Sequence, residues 1–191
     1  MSLPRPQARP ATYADILAAP EGVTAEVIDG VLHTQPRPLP RHGLVEFHLS
    51  GLLAGGPARP NGGWWILPEV EVSLTGSVVV PDIAGWRRST RLDFPGERPI
   101  ETVPDWTCEI ASPSTEARDR VRKADLYARA GVGHYWIVNP ATRTLEAFER
   151  RDGGWLRVGA WEGEASAAIA PFAELEIALG RLWPPEPTDE P

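Results

Sequence analysis

Two acids and one amine are the groups of this sequence best suited to joint chemistry. The acids are Asp82, within Pro81-Asp82-Ile83-Ala84, and Glu109, within Cys108-Glu109-Ile110-Ala111. The amine is Lys123, the single lysine among 19 basic residues. Elsewhere arginine supplies the positive charge. An ammonium is a compact point donor that fits a tight anionic site, whereas a guanidinium is a broad planar fork. Paired carboxylates hold a hard divalent cation such as Mg²⁺, which takes oxygen ligands. An ammonium beside them can orient an attacking water or stabilise charge developing on a phosphate. The bland account of a lone lysine is a solvated helix face.

Spacing decides which acids can meet. Asp105 and Glu109 lie four apart on one strand, so they share a face but stand about 13 Å apart, too far for one ion. Asp82 closes an expected strand over 78–83. If the expected strand 106–111 lies beside it, Asp82 and Glu109 project from neighbouring strands about 5 Å apart. Lys123 falls about two turns into a helix that starts just after Glu109. Packed against its own preceding strand, that helix can bring a long side chain back to the strand's end. Asp119, four residues before Lys123, reads as its surface ion-pair partner, worth a few tenths of a kcal/mol.

The elements that must position these groups follow from pattern. Residues 12–19 suit a short helix, with Thr12 as cap and Pro20 as stop. Residues 25–33 carry two β-prone runs around Asp29-Gly30, a hairpin signal. Pro36, Pro38 and Pro40 impose an extended linker. Val45, Leu49, Leu52 and Leu53 lie on one face of a helix over 42–54. Strands are expected over 64–67, 70–74 and 78–83, then a long connection over 85–103. A buried strand over 106–111 is followed by a Ser-Pro-Ser-Thr turn and a helix over 116–130. Its inward residues are read as Val121, Leu126 and Ala130, and Gly131 as its stop. Further strands fall at 134–138, 144–148 and 155–158. Strands with helices between them make a mixed sheet covered by helices. Trp64, Trp65, Trp106 and Trp136 lie in apolar runs and are expected in the core.

Composition sets bounds. The chain has 191 residues, of which 42% are hydrophobic and 24% charged, which suits a single domain over 12–183. Tails are expected over 1–11 and, disordered, over 184–191. No run of about 18 apolar residues predicts a transmembrane helix, and residues 1–10 do not read as a signal peptide. The one cysteine, Cys108, allows no internal disulfide, which suits a reducing cytoplasm. It alternates with Glu109 and so faces the core, which argues against a cysteine nucleophile. The net charge of −7 argues against an unaided nucleic-acid coat but leaves room for a local basic cleft.

Several segments then occur in a telling order. They are Ala25-Glu26-Val27-Ile28-Asp29-Gly30, His42 with its helix, Pro81-Asp82-Ile83-Ala84, and Cys108-Glu109-Ile110-Ala111-Ser112-Pro113-Ser114-Thr115. Asp119, Lys123, Tyr127 and Gly131-Val132-Gly133-His134-Tyr135-Trp136-Ile137-Val138 follow. From about Thr12 to Trp183 the chain resembles the Uma-two family of restriction endonucleases, a branch of the PD-(D/E)XK nuclease superfamily. The resemblance implies a restriction-endonuclease-like α/β fold with a mixed central β-sheet flanked by helices. It implies Asp82 as the Pro-Asp acid, Glu109 as the second acid, and the backbone carbonyl of Ile110 facing the metal. The superfamily's lysine normally follows the second acid by two residues, where this chain has Ala111. Lys123 matches variants in which it has moved to the next helix. His42, Ser112 and Tyr127 are accessory candidates, each with packing or capping as the plainer role, and Glu26 reads as a structural hydrogen-bond acceptor near the hairpin.

The leading expectation is therefore an Mg²⁺- or Mn²⁺-dependent endonuclease hydrolysing DNA. Asp82, Glu109 and Lys123 would be its catalytic residues, and Arg87, Arg88, Arg91, Arg118 and Arg122 would grip the backbone. A second reading is a catalytically inactive nuclease-fold module that binds nucleic acid or a protein partner, which the acidic balance and Ala111 favour. A third is a homodimer whose interface uses Trp155, Trp161 and Trp183.

Overall fold

The structure, a computed structural model, describes residues 9–57 and 62–185. The expected tails, 1–11 and 184–191, lie outside the described residues except for 9–11 and 184–185. Ala11 donates its N–H to the Gly30 carbonyl at 2.7 Å.

Helix α1 (Tyr13–Leu17) leads into the hairpin β1 (Val23–Ile28) and β2 (Val31–Pro36). Its turn is Asp29-Gly30, both with positive φ, 49° and 75°. That geometry matches the twist of the flanking strands and favours Gly at the second position. Helix α2 (Pro40–Gly55) begins with Pro40 in its first turn, where a missing N–H costs nothing. β3 (Trp64–Pro68), β4 (Val72–Leu74), β5 (Ser77–Val79), β6 (Ile83–Arg87) and β7 (Trp106–Ile110) follow.

The run read as one strand over 78–83 is two. β5 pairs with β1 and β4, whereas β6 pairs with β3 and β7. The chain leaves one sheet for the other through Val80-Pro81-Asp82, where Pro81 has no N–H for a ladder. Asp82 therefore precedes a strand rather than closing one. Part of the expected long connection is also strand: Gly85 and Trp86 are buried within β6.

Among the described residues, β10 (Gly154–Glu162), β9 (Thr144–Arg151), β8 (His134–Asn139), β7, β6 and β3 form one sheet in that order. The β7–β8 pair is parallel and the other pairs are antiparallel. A second sheet runs β2-β1-β5-β4, and a short pair joins β11 (Ser166–Ala168) to β12 (Glu176–Ala178).

The larger sheet is covered on both faces, and alternation along β7 shows how. Trp106, Cys108 and Ile110 pack with Val45, Leu49 and Leu53 of α2. Thr107 and Glu109 point the other way, toward the face where Leu126 and Tyr127 pack with Trp86, Tyr135 and Ile28. That second face is covered by α3 (Glu116–Arg118), a π-helical turn (Asp119–Lys123) and α4 (Ala124–Ala130), which ends at Gly131 with φ 96°. Val121 is 66% exposed, not inward. Asp119 and Lys123 take the inward positions, and a residue two away from each points to solvent.

The tryptophans expected at a dimer interface pack within their own chain. Trp183 is buried and donates to the Gly163 carbonyl at 2.6 Å, and Trp155 donates to the Ala124 carbonyl at 2.7 Å. Trp161 packs against the α2-side core. Trp64, Trp106 and Trp136 are buried as expected, while Trp65 is only partly covered. Among the described residues no helix is long and apolar enough to cross a membrane.

Candidate active site

Four side chains from four segments meet beside the start of β6. Glu26 comes from β1, Asp82 from the crossover into β6, Glu109 from β7 and Lys123 from the π-helical turn. The β6–β7 register sets Ile83 opposite Cys108 and Ala84 opposite Thr107. One step further along, Asp82 stands across from Glu109. The π turn matters as well. Such turns insert an extra residue into a helix and recur at functional sites. Here the turn begins at Asp119 and ends at Lys123, and both are buried against the sheet.

Lys123 Nζ lies 2.8 Å from Glu109 Oε1, 2.9 Å from Glu26 Oε1 and 3.2 Å from the Val80 carbonyl. Its three N–H bonds thus have three acceptors. Tyr127 donates its hydroxyl to the same Glu109 oxygen at 2.5 Å. Glu26 Oε1 also accepts the Val80 N–H at 2.9 Å, and its Oε2 lies 3.4 Å from the Arg118 guanidinium. Glu26 therefore grips the crossover peptide and the lysine together.

Asp82 Oδ2 accepts the Ile110 N–H at 2.6 Å and lies 3.1 Å from His42 Nε2. In a strand, one residue's N–H and carbonyl point to the same edge, so the Ile110 carbonyl also opens toward Asp82. His42, on α2, is buried, with Nδ1 3.9 Å from Glu46. Ser112 bonds to the hydroxyls of Ser114 and Thr115 at 3.1 and 3.0 Å, which fixes the turn after β7. A cleft of about 370 Å³ reaches this cluster, with His42, Asp82, Glu109 and Asp119 in its lining. Segments 35–39 and 112–115 form its walls.

Burial pushes the Glu109 carboxyl well above the usual range, and the charges of Asp119, Asp82 and Glu26 add to this while Lys123 opposes it. Burial also raises Asp119, against the pull of Lys123. For Lys123, burial favours the neutral amine, but Glu109, Glu26 and Asp119 outweigh it and hold the ammonium. His42 is likewise pulled down by burial, then raised overall by Asp82. Burial, with the charges of Asp82 and Glu69, pushes Glu46 up to about 7. Two partners 2.8 Å apart would normally shift in opposite senses, yet Lys123 and Glu109 both move up. Burial is the larger cause for Glu109 and the neighbouring acids add to it, whereas for Lys123 those acids outweigh burial. The acids outnumber the cations beside them, so the cluster is short of positive charge.

That shortage tests whether a divalent cation fits. The free donors are hard oxygens, from the Asp82 and Glu109 carboxylates and the Ile110 carbonyl, as Mg²⁺ or Mn²⁺ requires. Among the described residues no three His, Cys, Asp or Glu side chains stand close enough to share an ion. Two carboxylates, a carbonyl and several waters remain, which suits Mg²⁺, an ion that keeps much of its water. The residues present fit the group.

The arginine expectations fare differently. Arg87 lies over the Trp64 ring at 4.5 Å and Arg88 over Trp65 at 4.1 Å. Arg87 ends β6 and Arg88 follows it, so both lie at the far end of that strand from Asp82, about 17–20 Å away at strand rise. Arg91 is held by Glu97 at 2.7 Å and by Thr102. The structure brings none of these three into the cleft lining. Arg118 is engaged by Glu26 and Gln35, and Arg122 is exposed. Arg37, which the sequence reading passed over, is exposed and does line the cleft.

Fold and cluster together define a restriction-endonuclease-like α/β protein. The chain belongs to the Uma2 family, described as "putative restriction endonuclease", whose model matches residues 10–180. A crystal structure from Anabaena variabilis, titled as a "putative nuclease belonging to DUF820", shares the fold with a TM-score of 0.73 at 20% identity. The match covers 91% of this chain and 97% of that one. Among curated proteins no relative matches.

Two buried groups were undervalued in the sequence. Glu26 looked like a structural hydrogen-bond acceptor near the hairpin, and it does accept the Val80 N–H, but it also contacts the lysine. Asp119 looked like half of a surface pair and is instead 2% exposed. The available signal was an acid recurring four residues before the single lysine, on the helix face that also carries Tyr127.

Proposed function

We propose that this protein is a divalent-cation-dependent endonuclease that hydrolyses DNA phosphodiester bonds in the cleft, within one domain over 12–183. The observation that carries this reading is that Asp82 and Glu109 line one recessed cleft, with the Lys123 ammonium 2.8 Å from Glu109. Asp82, Glu109 and the Ile110 carbonyl would hold Mg²⁺ or Mn²⁺. A cation bound there would polarise a phosphoryl oxygen and acidify a bound water.

The chain's own groups have separable tasks. His42 and the Ile110 N–H orient Asp82. Tyr127 and Lys123 pin one oxygen of Glu109 and leave the other for a ligand. Lys123 stays an ammonium, so it does not serve as a base; it sets positive charge beside the place where phosphate charge would develop. Arg37 at the cleft stands where a neighbouring phosphate would pass, and Arg122 would add a further backbone contact.

One observation favours the inactive binding module as a second reading. All three N–H bonds of Lys123 already have acceptors within the fold, so the residue also makes sense as structural glue. A plasmid-nicking assay separates the two. Wild type is expected to cut in Mg²⁺ or Mn²⁺, to stop with chelator, and to lose cutting in Glu109→Gln. Binding that ignores chelator, with no cutting in either ion, would instead establish the module.

A further inference from the structure

Asp119 takes no part in the chemistry above, yet its side chain is 3% exposed and lines the cleft beside Asp82 and Glu109. Its Oδ1 is buried with no hydrogen-bond partner. The Arg118 Nε lies 3.9 Å from that oxygen, beyond hydrogen-bond reach. Arg118 turns its other guanidinium nitrogen to Glu26 and Gln35, and its Nε, also without a hydrogen-bond partner, offers Asp119 charge but no hydrogen bond. Tyr135 uses only the Asp119 backbone carbonyl, at 3.1 Å. The Thr115 hydroxyl and the charges of Lys123 and Arg118 favour the ionised carboxylate, but Oδ1 is left without a hydrogen bond, and a bare carboxylate oxygen out of water is costly to keep. The π turn nonetheless holds it on the sheet side.

The cation reading supplies a partner. Asp119 is not close enough to complete a three-side-chain ligand set, so its contact would run through water. We propose that Asp119 is a positioning residue of the metal site, whose Oδ1 accepts a hydrogen bond from a water on the cation that Asp82 and Glu109 hold. The inference rests on the cation reading above. Groups of this kind orient the water and tighten the ion, and their loss commonly weakens metal affinity about 10–100-fold.

Calorimetric titration of the full chain with Mn²⁺ tests this, with thermal melting of the metal-free protein alongside. Asp119→Asn keeps the shape and removes the charge. We expect its Mn²⁺ dissociation constant to rise about 10–100-fold, while its metal-free Tm stays level or climbs. Asp119→Ser, which leaves room for a water, should behave alike. Unchanged Mn²⁺ affinity in both variants overturns the inference and leaves the cation reading standing. A fall in metal-free Tm that matches the lost affinity assigns Asp119 a structural role and also overturns it. A wild type that takes up no Mn²⁺ removes the cation reading and this inference together.

Discussion

Lys123→Ala is expected to destabilise the fold by about 3–5 kcal/mol, the cost of breaking a buried ion pair from one side. The ammonium is 1% exposed and sits between Glu26 and Glu109. Without it, two buried carboxylates face each other with no cation between them, beside the cavity left by the lysine stem. Urea unfolding at neutral pH reads the effect. The sign with pH follows from Glu109, whose folded pKa is already raised. A raised acid contributes stability below its unfolded value and loses it as pH climbs through the folded one. Removing the ammonium raises Glu109 further, so the penalty should be smallest in acid and grow toward alkaline pH. A loss under about 1 kcal/mol, the scale of an exposed pair, would mean that the lysine is not buried among these acids.

Asp82→Asn is expected to slow metal-dependent cleavage more than about 100-fold, beyond what groups acting through a ligand cost. Its stability should change much less. An asparagine oxygen can still accept the Ile110 N–H that Asp82 accepts at 2.6 Å, so the strand edge stays closed. What goes is the charge proposed to bind the cation. Single-turnover rates on one plasmid substrate, beside an unfolding curve, separate the two effects. A variant that cuts at the wild-type rate would show that the Pro-Asp acid does not contribute to the reaction.

Much of this site could be read from the residues because it depends on local periodicity. Alternation along Trp106-Thr107-Cys108-Glu109-Ile110 puts Glu109 and Cys108 on opposite faces, and the structure agrees. The Asp29-Gly30 turn and the Gly131 stop follow from left-handed backbone that glycine tolerates. The split between β5 and β6 was not legible, because Val78, Val79 and Val80 before Pro81 and Ile83 after it suit either sheet. Nor was the π turn, since no residue type marks a widened helical turn. That is why Val121 was read inward and Asp119 outward. Glu26 was undervalued for a related reason. It sits in the second sheet, and only tertiary packing brings it to a helix about a hundred residues later in the chain. The arginine clusters misled because charge density alone does not show what the guanidinium stacks on. Arg87 and Arg88 spend theirs on Trp64 and Trp65.

The most direct measurement is anomalous diffraction from crystals soaked in Mn²⁺. We expect one strong peak between the Asp82 and Glu109 carboxylates and the Ile110 carbonyl, with Lys123 still within hydrogen-bond distance of Glu109. No peak there at saturating Mn²⁺, or a peak only at surface acids away from the cleft, would contradict the assignment of this cluster as a cation-dependent active site.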